Sequence, residues 1–305
     1  MFTRLLFQFT LAVMACTAHA ASIDISHIKG HIELDKPAQR VVVLTHSALD
    51  TLDFLEVTPV GAVRMLMPNY LAHYGETVTN VGSLFEPDFE TLFTLKPDLI
   101  IADERMMRIY EDLNEVAPTL MLSTTNGQYW HDTQVNWRAV ATLVGKEDKM
   151  ASKIEETEQR INAIQSAVRA EKRDAMMVMS SGKKLSNFEP QSRFSIIFEE
   201  FGFLPASSQT VASETGPHGK LISFEYIADA KPSTLFVLDR EQATGKAHGA
   251  AQQLFDNPLI AYTPAAKAQR IVYVDPVAWY LAYGGVHATE IMMDDVASSL
   301  DNSPQ

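Results

Sequence analysis

The chain has few cysteines, few basic residues and few long apolar runs. Its 305 residues include one cysteine, Cys16, so a disulfide framework and a thiol nucleophile are excluded from the rest of the sequence. No segment after residue 20 is long and apolar enough to span a bilayer. The sequence has 25 Lys and Arg residues but 38 Asp and Glu residues. The resulting net charge of −13 excludes a protein that coats nucleic acid or an anionic membrane.

The signature motifs of several enzyme classes are missing as well. The sequence has no GxxxxGK, GxGxxG, GxSxG or HExxH segment. Without GxSxG there is no nucleophile elbow, which counts against an exported esterase. The composition is otherwise typical of a globular protein, with 46% hydrophobic and 21% charged residues. A chain of this length predicts two lobes or one large α/β unit.

The first 20 residues have the pattern of an export signal. Arg4 precedes a mostly apolar run, and Ala18-His19-Ala20 supplies a small-x-small cleavage site. The run is too short to span a bilayer, so we expect cleavage after Ala20 and a soluble periplasmic product. Residues 13–16 form a poor lipobox because Met14 is bulky, so we do not expect a lipid anchor at Cys16.

Strand and helix patterns alternate along the remaining chain. Residues 23–34 predict an edge hairpin, and short runs rich in β-branched residues then alternate with helical segments, which indicates parallel βα units. Between residues 146 and 173 there is no Gly or Pro, and apolar residues recur on one helical face, which predicts one long helix. The βα pattern then restarts, with a helix predicted at 195–201 and strands at 175–180, 235–238 and 271–274.

One segment of the first half is echoed in the second. An FExLxxxKP run begins at Phe89 and an FExIxxxKP run at Phe224, an offset of 135 that also pairs Arg105 with Arg240. Chance similarity is the alternative, because helix, Lys-Pro and strand often follow one another in α/β proteins. We interpret the echo as two homologous lobes.

The predicted fold is therefore α/β. It has two βα lobes with central, mostly parallel sheets, joined by one long α-helix, and a ligand cleft between the lobes. The boundaries we expect are a signal peptide at 1–20, an N-terminal lobe at 21–145, a linking helix at 146–173 and a C-terminal lobe at 174–305.

This order of parts resembles the helix-linked class of periplasmic substrate-binding proteins, which serve iron-siderophore and cobalamin ABC importers. The segment at 81–101 is a strong marker of the class, and four short segments are similar to catecholate-siderophore binders of the enterochelin-uptake type: 190–194, 218–220, 239–240 and 275–282. The resemblance implies a non-enzymatic protein that captures a ferric catecholate siderophore, tetradentate or hexadentate, and delivers it to an inner-membrane ABC permease. It implies no intrinsic cofactor, with Fe(III) bound only as the siderophore complex. We also expect a monomer.

Three arginines follow predicted strands and are candidates for holding such an anion. Arg105 and Arg240 follow corresponding strands of the two halves, and Arg193 follows the first strand of the second half. Ligand crevices lie beyond the carboxyl ends of strands in open α/β sheets, so we expect the three to meet in one cleft. A guanidinium is always charged, donates in a fork and stacks on aromatic rings. Arg108 is a fourth candidate, and the alternative for each is an ion pair with a nearby acid: Asp103, Glu104, Asp239 or Glu241.

Two residues are candidate iron ligands. His218 lies in a loop between Gly and Pro residues, and Tyr280 follows the last predicted strand. Fe(III) favours phenolate oxygen and accepts imidazole, and the resemblance implies that a His and a Tyr fill the two positions a tetradentate siderophore leaves open. Tyr283 is a possible substitute for Tyr280. The alternative is that these side chains only form hydrogen bonds in loops.

Glu90 and Glu225 occupy equivalent positions in the echoed segments. The resemblance implies that an acidic residue on each lobe docks into basic pockets of the paired permease subunits. The alternatives are a solvated helix face for both and Glu86 in place of Glu90.

Other functions of the same fold stay open. A haem-binding or cobalamin-binding protein is the nearest, although three arginines are more charge than two haem propionates or a cobalamin require. An exported siderophore-processing enzyme is the alternative from another class.

Overall fold

Two β-sheets, separated by a long helix, organise the chain. The computed structural model describes residues 22–125, 127–207, 215–216, 219–246 and 249–300. Within these ranges, every helix is too short or too polar to cross a membrane. The predicted edge hairpin is present as the antiparallel pair β1 (Ile23–His27) and β2 (Gly30–Leu34).

The N-terminal sheet has five parallel strands: β3 (Val41–Val43), β4 (Gly61–Ala62), β5 (Thr79–Asn80), β6 (Leu99–Asp103) and β7 (Thr119–Leu122). Their order across the sheet is β5-β4-β3-β6-β7. The central strands β3 and β6 consist mostly of buried Val, Leu and Ile because helices cover both faces. The helices of this lobe are α1 (His46–Phe54), α2 (Tyr74–Thr77), α3 (Phe89–Leu95), α4 (Tyr110–Val116) and α5 (Tyr129–Leu143), with 3-10 turns at Asn69–Leu71 and Glu104–Ile109.

The linking helix is α6 (Glu147–Ala170), 24 residues long. One face is buried against the protein and the other carries exposed charged residues, as the apolar spacing predicts. The buried residues are Met150, Lys153, Ile154, Thr157, Ile161, Ile164 and Val168.

The C-terminal sheet is mixed. Its strands are β8 (Asp174–Ser181), β9 (Lys184–Phe188), β10 (Leu204–Pro205), β11 (Thr215–Gly216), β12 (Gly219–Ile222), β13 (Leu235–Asp239) and β14 (Ile271–Tyr273). β8 pairs in parallel with β10 and β13, and β13 with β14, whereas β8 with β9, β9 with β12 and β12 with β11 are antiparallel pairs. The helices are α7 (Phe224–Ala230), α8 (Arg240–Ala243), α9 (Ala250–Phe255), α10 (Pro258–Ala261), α11 (Pro264–Lys267), α12 (Pro276–Tyr280) and α13 (Val286–Ser298).

The helix predicted at 195–201 is only a 3-10 turn, Ser195–Ile197. The residue before it, Phe194, provides no side-chain cap, and nearly every residue around the turn is buried. Because the five consecutive residues 194–198 are all buried, the chain has no exposed face here as a surface helix would, and it passes through the core as an irregular loop.

The echoed segments build the same unit in both lobes. Asp88 caps α3 and Ser223 caps α7, each accepting from the backbone N–H three residues on. Both helices end at a lysine in the left-handed conformation, Lys96 and Lys231, and the proline that follows cannot continue the helix. The strands that come next, β6 and β13, each lie between two parallel neighbours. The fold is thus two βα lobes joined by one long helix.

Candidate functional site

A cavity of about 290 Å³ lies between the lobes. It is at the carboxyl ends of the parallel strands, the edge at which the sequence predicts the ligand crevice. The N-terminal lobe contributes Ser47, Thr51, Asp103, Glu104, Arg105, Leu122, Ser123, Thr124, Asn136, Trp137 and Val140. The C-terminal lobe contributes Arg193, Leu281, Tyr283 and Gly284.

Arg193 lies between two tyrosine rings. Its guanidinium carbon is 5.0 Å from the ring centroid of Tyr280 and 5.1 Å from that of Tyr283, and its Nη2 donates to the backbone oxygen of Tyr280 at 2.6 Å. Burial lowers the pKa of Arg193, although a guanidinium remains charged at neutral pH. No carboxylate of the described residues forms an ion pair with it. Arg193 is therefore a desolvated cation available to an anion in the cleft.

Arg240 follows β13 and is the first residue of α8; like Tyr280, which it contacts, it lies beside the cavity and not in its lining. Its Nε donates to the Tyr280 hydroxyl at 2.8 Å and its Nη1 to the Ser181 hydroxyl at 3.3 Å. The neighbouring Asp239 is buried and accepts from the backbone N–H groups of Glu241, Gln242 and Ala251 instead. Since this carboxylate caps two helices, the ion-pair alternative does not apply to Asp239 and Arg240.

Arg105 has different surroundings. Its guanidinium forms an ion pair with Asp103, whose Oδ1 also accepts the Arg105 backbone N–H at 2.9 Å. The next residue, Glu104, accepts a hydrogen bond from the Ser123 hydroxyl. The ion-pair alternative is thus present for Arg105, although its side chain lines the cavity. With Asp103 and Glu104 against Arg105, the N-terminal wall of the cleft carries more negative than positive charge. The positive charge without a described carboxylate partner lies on the C-terminal wall, which consists of Arg193, Leu281, Tyr283 and Gly284 with Tyr280 and Arg240 beside them.

Arg108 is exposed in the 3-10 turn after β6 and is not among the residues that line the cavity. Its position there does not support the prediction that it joins the other three arginines.

Tyr280 is the last residue of α12, and the guanidinium groups of two arginines lie close to its ring. The Arg193 and Arg240 guanidinium carbons lie 5.0 and 5.7 Å from its centroid. Its hydroxyl oxygen accepts from Arg240, and the partly exposed side chain lies beside the cavity rather than in its lining. The hydrogen bond from Arg240 fixes the position of this oxygen, and phenol oxygen is a donor type that hard metal ions favour.

Tyr283 is held by the protein. Its hydroxyl donates to the backbone oxygen of Arg193, its ring packs 4.6 Å from that of Tyr129, and burial raises its pKa well above the ordinary value. A protonated hydroxyl with a fixed partner is a poor metal ligand. This geometry favours Tyr280 over Tyr283 for that role.

His218 lies outside the described residues, together with Pro217. The strands on either side of it, β11 and β12, form the outer hairpin of the C-terminal sheet, and β12 pairs with β9. In the part of the chain that the structure describes, no three His, Cys, Asp or Glu side chains are grouped to hold a metal ion.

Glu90 and Glu225 are exposed, each the second residue of its helix, α3 or α7. Neither lines the cavity. The two carboxylates therefore occupy equivalent places on the two lobes, outside the cleft.

Sequence reasoning missed the polar side chains of the N-terminal wall. Ser47 and Thr51 lie on α1 just after β3, and the rule that located the arginines would have found them if applied to that strand. Asn136 and Trp137 lie on α5, and only the packing of that helix against the other lobe brings them to the cavity.

Comparison with known proteins gives the same fold over almost the whole chain. The periplasmic catecholate-siderophore binding protein VctP from Vibrio cholerae superposes with a TM-score of 0.85 at 39% identity, covering 91% of this chain and 100% of that one. The petrobactin-binding protein of Bacillus subtilis is 30% identical over 276 residues, 90% of this chain and 86% of that protein. The ferric-anguibactin-binding protein of Vibrio anguillarum is 30% identical over 281 residues, with the same two coverages.

The family comparison covers both lobes. Residues 41–278 match the periplasmic binding protein family, from the first strand of the N-terminal sheet to the helix that carries Tyr280. This match spans more than half of the chain and includes Arg105, Arg193 and Arg240. The protein belongs to the periplasmic binding protein family.

Proposed function

We propose that this protein binds a ferric catecholate siderophore in the cleft between its lobes and passes it to an ABC permease of the inner membrane. The observation that carries the proposal is the C-terminal wall, where Arg193 and Arg240 share the ring of Tyr280 and form no ion pair with a described carboxylate. Relatives whose names state a petrobactin, ferric-anguibactin or catecholate-siderophore ligand support this class of cargo.

The charges and rings of this wall suit a ferric catecholate. A complex with three catecholates carries a delocalised triple negative charge on flat aromatic rings. Guanidinium groups attract that charge and stack on the rings, and tyrosine rings add apolar contact area. On the N-terminal wall the hydroxyls of Thr51 and Ser123 already donate within the protein, to the Ser47 backbone oxygen and to Glu104, so their oxygens are left to accept hydrogen bonds from amide N–H groups of a siderophore.

For a tetradentate siderophore, we propose that Tyr280 ligates the iron directly and that His218 supplies the second position. The distance of 2.8 Å from Arg240 to the Tyr280 oxygen supports the first part. A protein ligand is needed only where the siderophore leaves iron positions open. A hexadentate siderophore would use the same wall through charge and stacking alone.

We further propose that Glu90 and Glu225 dock the loaded protein on the permease. Their equivalent positions in the repeated helix-strand unit match a partner with two similar subunits. Their exposure outside the cleft leaves them accessible while the ligand is bound. Capture and delivery require no covalent step, so the protein acts as a binding protein and not as an enzyme.

Spectroscopic titration tests the cargo. Trp137 lines the cavity, so bound ligand should quench tryptophan fluorescence. Ferric enterochelin, a ferric bis-catecholate, ferric citrate, haemin and cobalamin are each added to the protein. We expect quenching with a retained catecholate-to-iron charge-transfer band for the first two. Binding of haemin with a shifted Soret band, or of cobalamin, without binding of either catecholate would overturn the proposal.

A further inference from the structure

A buried carboxylate of the N-terminal lobe holds the C-terminal wall of the cleft. Asp50 on α1 is fully buried, and its Oδ1 accepts the backbone N–H of His287 at 2.7 Å. Its Oδ2 accepts the N–H of Ala288 at 2.9 Å and the hydroxyl of Tyr70 at 2.7 Å. The two N–H groups belong to the first turn of α13, 13 residues long, whose N-cap residue Gly285 has no side chain to cap them. Asp50 therefore caps α13 from the other lobe.

The approach of the two segments is close. A Cβ on Gly285 would lie 2.5 Å from the Asp50 carboxyl carbon, so only glycine fits at this position. Gly285 has φ −73°, which any residue adopts, so contact with Asp50 rather than backbone conformation accounts for the glycine. The site is built for direct contact between α1 and the start of α13.

The segment just before α13 is the wall of the cleft. Tyr280 and Tyr283 enclose Arg193, and Gly284 accepts a hydrogen bond at 2.7 Å from Trp137 Nε1 of α5. From Tyr280 to Gly285 the chain runs only five residues, so a shift at the start of α13 is transmitted directly to the wall. Asp50 itself does not line the cavity, although Ser47 and Thr51 on the same helix do.

We propose that Asp50 is a positioning residue: by capping α13 across the interface it fixes the orientation of the lobes and holds the segment from Tyr280 to Gly284 in its ligand-binding position. The proposal rests on the function proposed above, because it assigns Asp50 a role in ligand affinity without ligand contact. A carboxylate suits the role because two converging N–H groups at a helix N-terminus favour negative charge.

The test compares Asp50→Asn with a matched control, Asp98→Asn. Asp98 also accepts two backbone N–H groups, from Gln39 and Arg40, both at 2.8 Å, but all three residues belong to the N-terminal lobe and Asp98 lies at the amino end of β6. Spin labels at exposed Thr94→Cys and Gln253→Cys, in the chain that begins at residue 21 and has no cysteine of its own, report the distance between the lobes. Ferric enterochelin affinity and thermal unfolding are measured on the same variants.

We expect Asp50→Asn to shift or broaden the inter-lobe distance distribution and to weaken binding roughly tenfold, the loss of one hydrogen bond to a charged group. Asp98→Asn should lower the melting temperature but leave distance and affinity unchanged. If Asp50→Asn fails to fold, Gly285→Ala, which pushes the same contact apart, replaces it.

A lowered melting temperature with an unchanged distance distribution in Asp50→Asn would overturn the positioning role. The inter-lobe distance is measured without ligand, so it still tests the positioning role if ferric enterochelin does not bind the wild type. That second result would instead count against the proposed cargo.

Discussion

The three arginines that follow strand ends differ in what surrounds them. Arg105 is paired with Asp103, whereas Arg193 and Arg240 face tyrosines. An arginine already paired gains less from an anionic ligand, because the ligand must compete with a carboxylate in contact. At the scale of single residues, the partner and not the residue type decides how much charge each arginine offers.

We therefore expect unequal losses from alanine substitution. Arg193→Ala and Arg240→Ala should each weaken ferric catecholate binding by about 1.5–3 kcal/mol, the range for hydrogen bonds to charged groups. The double substitution Asp103→Ala with Arg105→Ala should cost less, since the ion pair that it removes carries no net charge to offer an anionic ligand. Titration by tryptophan quenching measures all three. Equal losses, or none for the Arg193 and Arg240 variants, would contradict the assignment of the free charge to the C-terminal wall.

The phenol of Tyr280 gives a prediction that depends on the denticity of the siderophore. Tyr280→Phe removes only the oxygen, so ring stacking with Arg193 and Arg240 is kept. A tetradentate ferric complex should bind the variant much more weakly than wild type and lose the tyrosinate contribution to its charge-transfer band, whereas a hexadentate complex should change little. His218→Ala should show the same selectivity.

The control for this prediction is Tyr283→Phe, because the Tyr283 hydroxyl already donates to the Arg193 backbone. Its charge-transfer band should match that of the wild type. If the charge-transfer band is the same in Tyr280→Phe, or if both kinds of siderophore lose affinity equally, Tyr280 contacts the ligand without ligating the iron.

The buried carboxyl group of Asp50 should also make the stability of the protein depend on pH. Burial raises its pKa to about 6, above the ~3.9 of an exposed aspartate. Between these values the folded state holds a proton that the unfolded chain has released, so the contribution of Asp50 to stability falls as the pH rises from about 4 to 6. The neighbouring His287 has a raised pKa through its bond to Glu290 and changes stability in the same direction at higher pH.

The free energy of unfolding, measured by urea denaturation at pH 4 to 6, tests this. The difference between wild type and Asp50→Asn should shrink as the pH rises, because the variant cannot titrate at this position. Asp295, whose pKa burial also raises to about 6, is present in both proteins and cancels in the difference. A difference that stays constant or grows over this range would contradict the assignment.

At the scale of elements, the sequence predicts those helices that are determined by residue spacing and capping within one segment. The long helix α6 follows from the spacing of Met150, Ile154 and Ile161, and the two capped helices before Lys-Pro follow from one repeated motif. The antiparallel strands β9 and β12 were not predicted, because Leu185 and Ile222 are brought together only by pairing across the sheet. The 3-10 turn at Ser195–Ile197 likewise depends on burial that local sequence does not reveal.

The candidate site likewise has residues that the sequence locates and residues whose role depends on tertiary packing. The rule that ligands bind at the carboxyl ends of parallel strands located Arg105 and Arg240, which follow β6 and β13. It does not account for Arg193, because the unpredicted strand β9, antiparallel to β8, lies between β8 and this residue. It could not indicate that Asp103 pairs with Arg105 while Asp239 caps helices, since each acid lies within two residues of its arginine in the chain. Cavity residues from α5 depend on how one lobe packs on the other.

The paired helices α3 and α7 give a prediction about transport. Glu90→Ala with Glu225→Ala should abolish iron uptake in cells that depend on this protein while leaving ligand affinity intact, because both residues lie outside the cleft. The matched control is Glu155→Ala with Glu158→Ala, which removes two exposed acids from α6. Uptake that persists in the first double variant, or is lost in the control as well, would show that docking uses another surface.

At the scale of the whole molecule, the two lobes share one buried core. The same apolar cluster includes Val43 and Leu49 of the N-terminal lobe, Ile161 of the linking helix, and Met177 and Met292 of the C-terminal lobe. Helix α13 packs on both α1 and α6, and Tyr129 of α5 bonds to Thr289 at 2.7 Å. A large change in the angle between the lobes would expose part of this core to water, at a cost of about 25 cal/mol for each Å² of apolar surface.

This shared core predicts that ligand binding closes the cleft only slightly. The continuous helix α6 bends less readily than a loop hinge, and the contacts of α13 bridge the lobes in the unloaded protein. With spin labels at Thr94→Cys and Gln253→Cys in wild type, the distance distributions with and without ferric enterochelin should overlap, and binding should narrow the distribution rather than move it. Two well-separated distributions would mean that the lobes rotate through a hinge, and that the bridging contacts of α13, including its cap by Asp50, break and re-form in each cycle of capture and release.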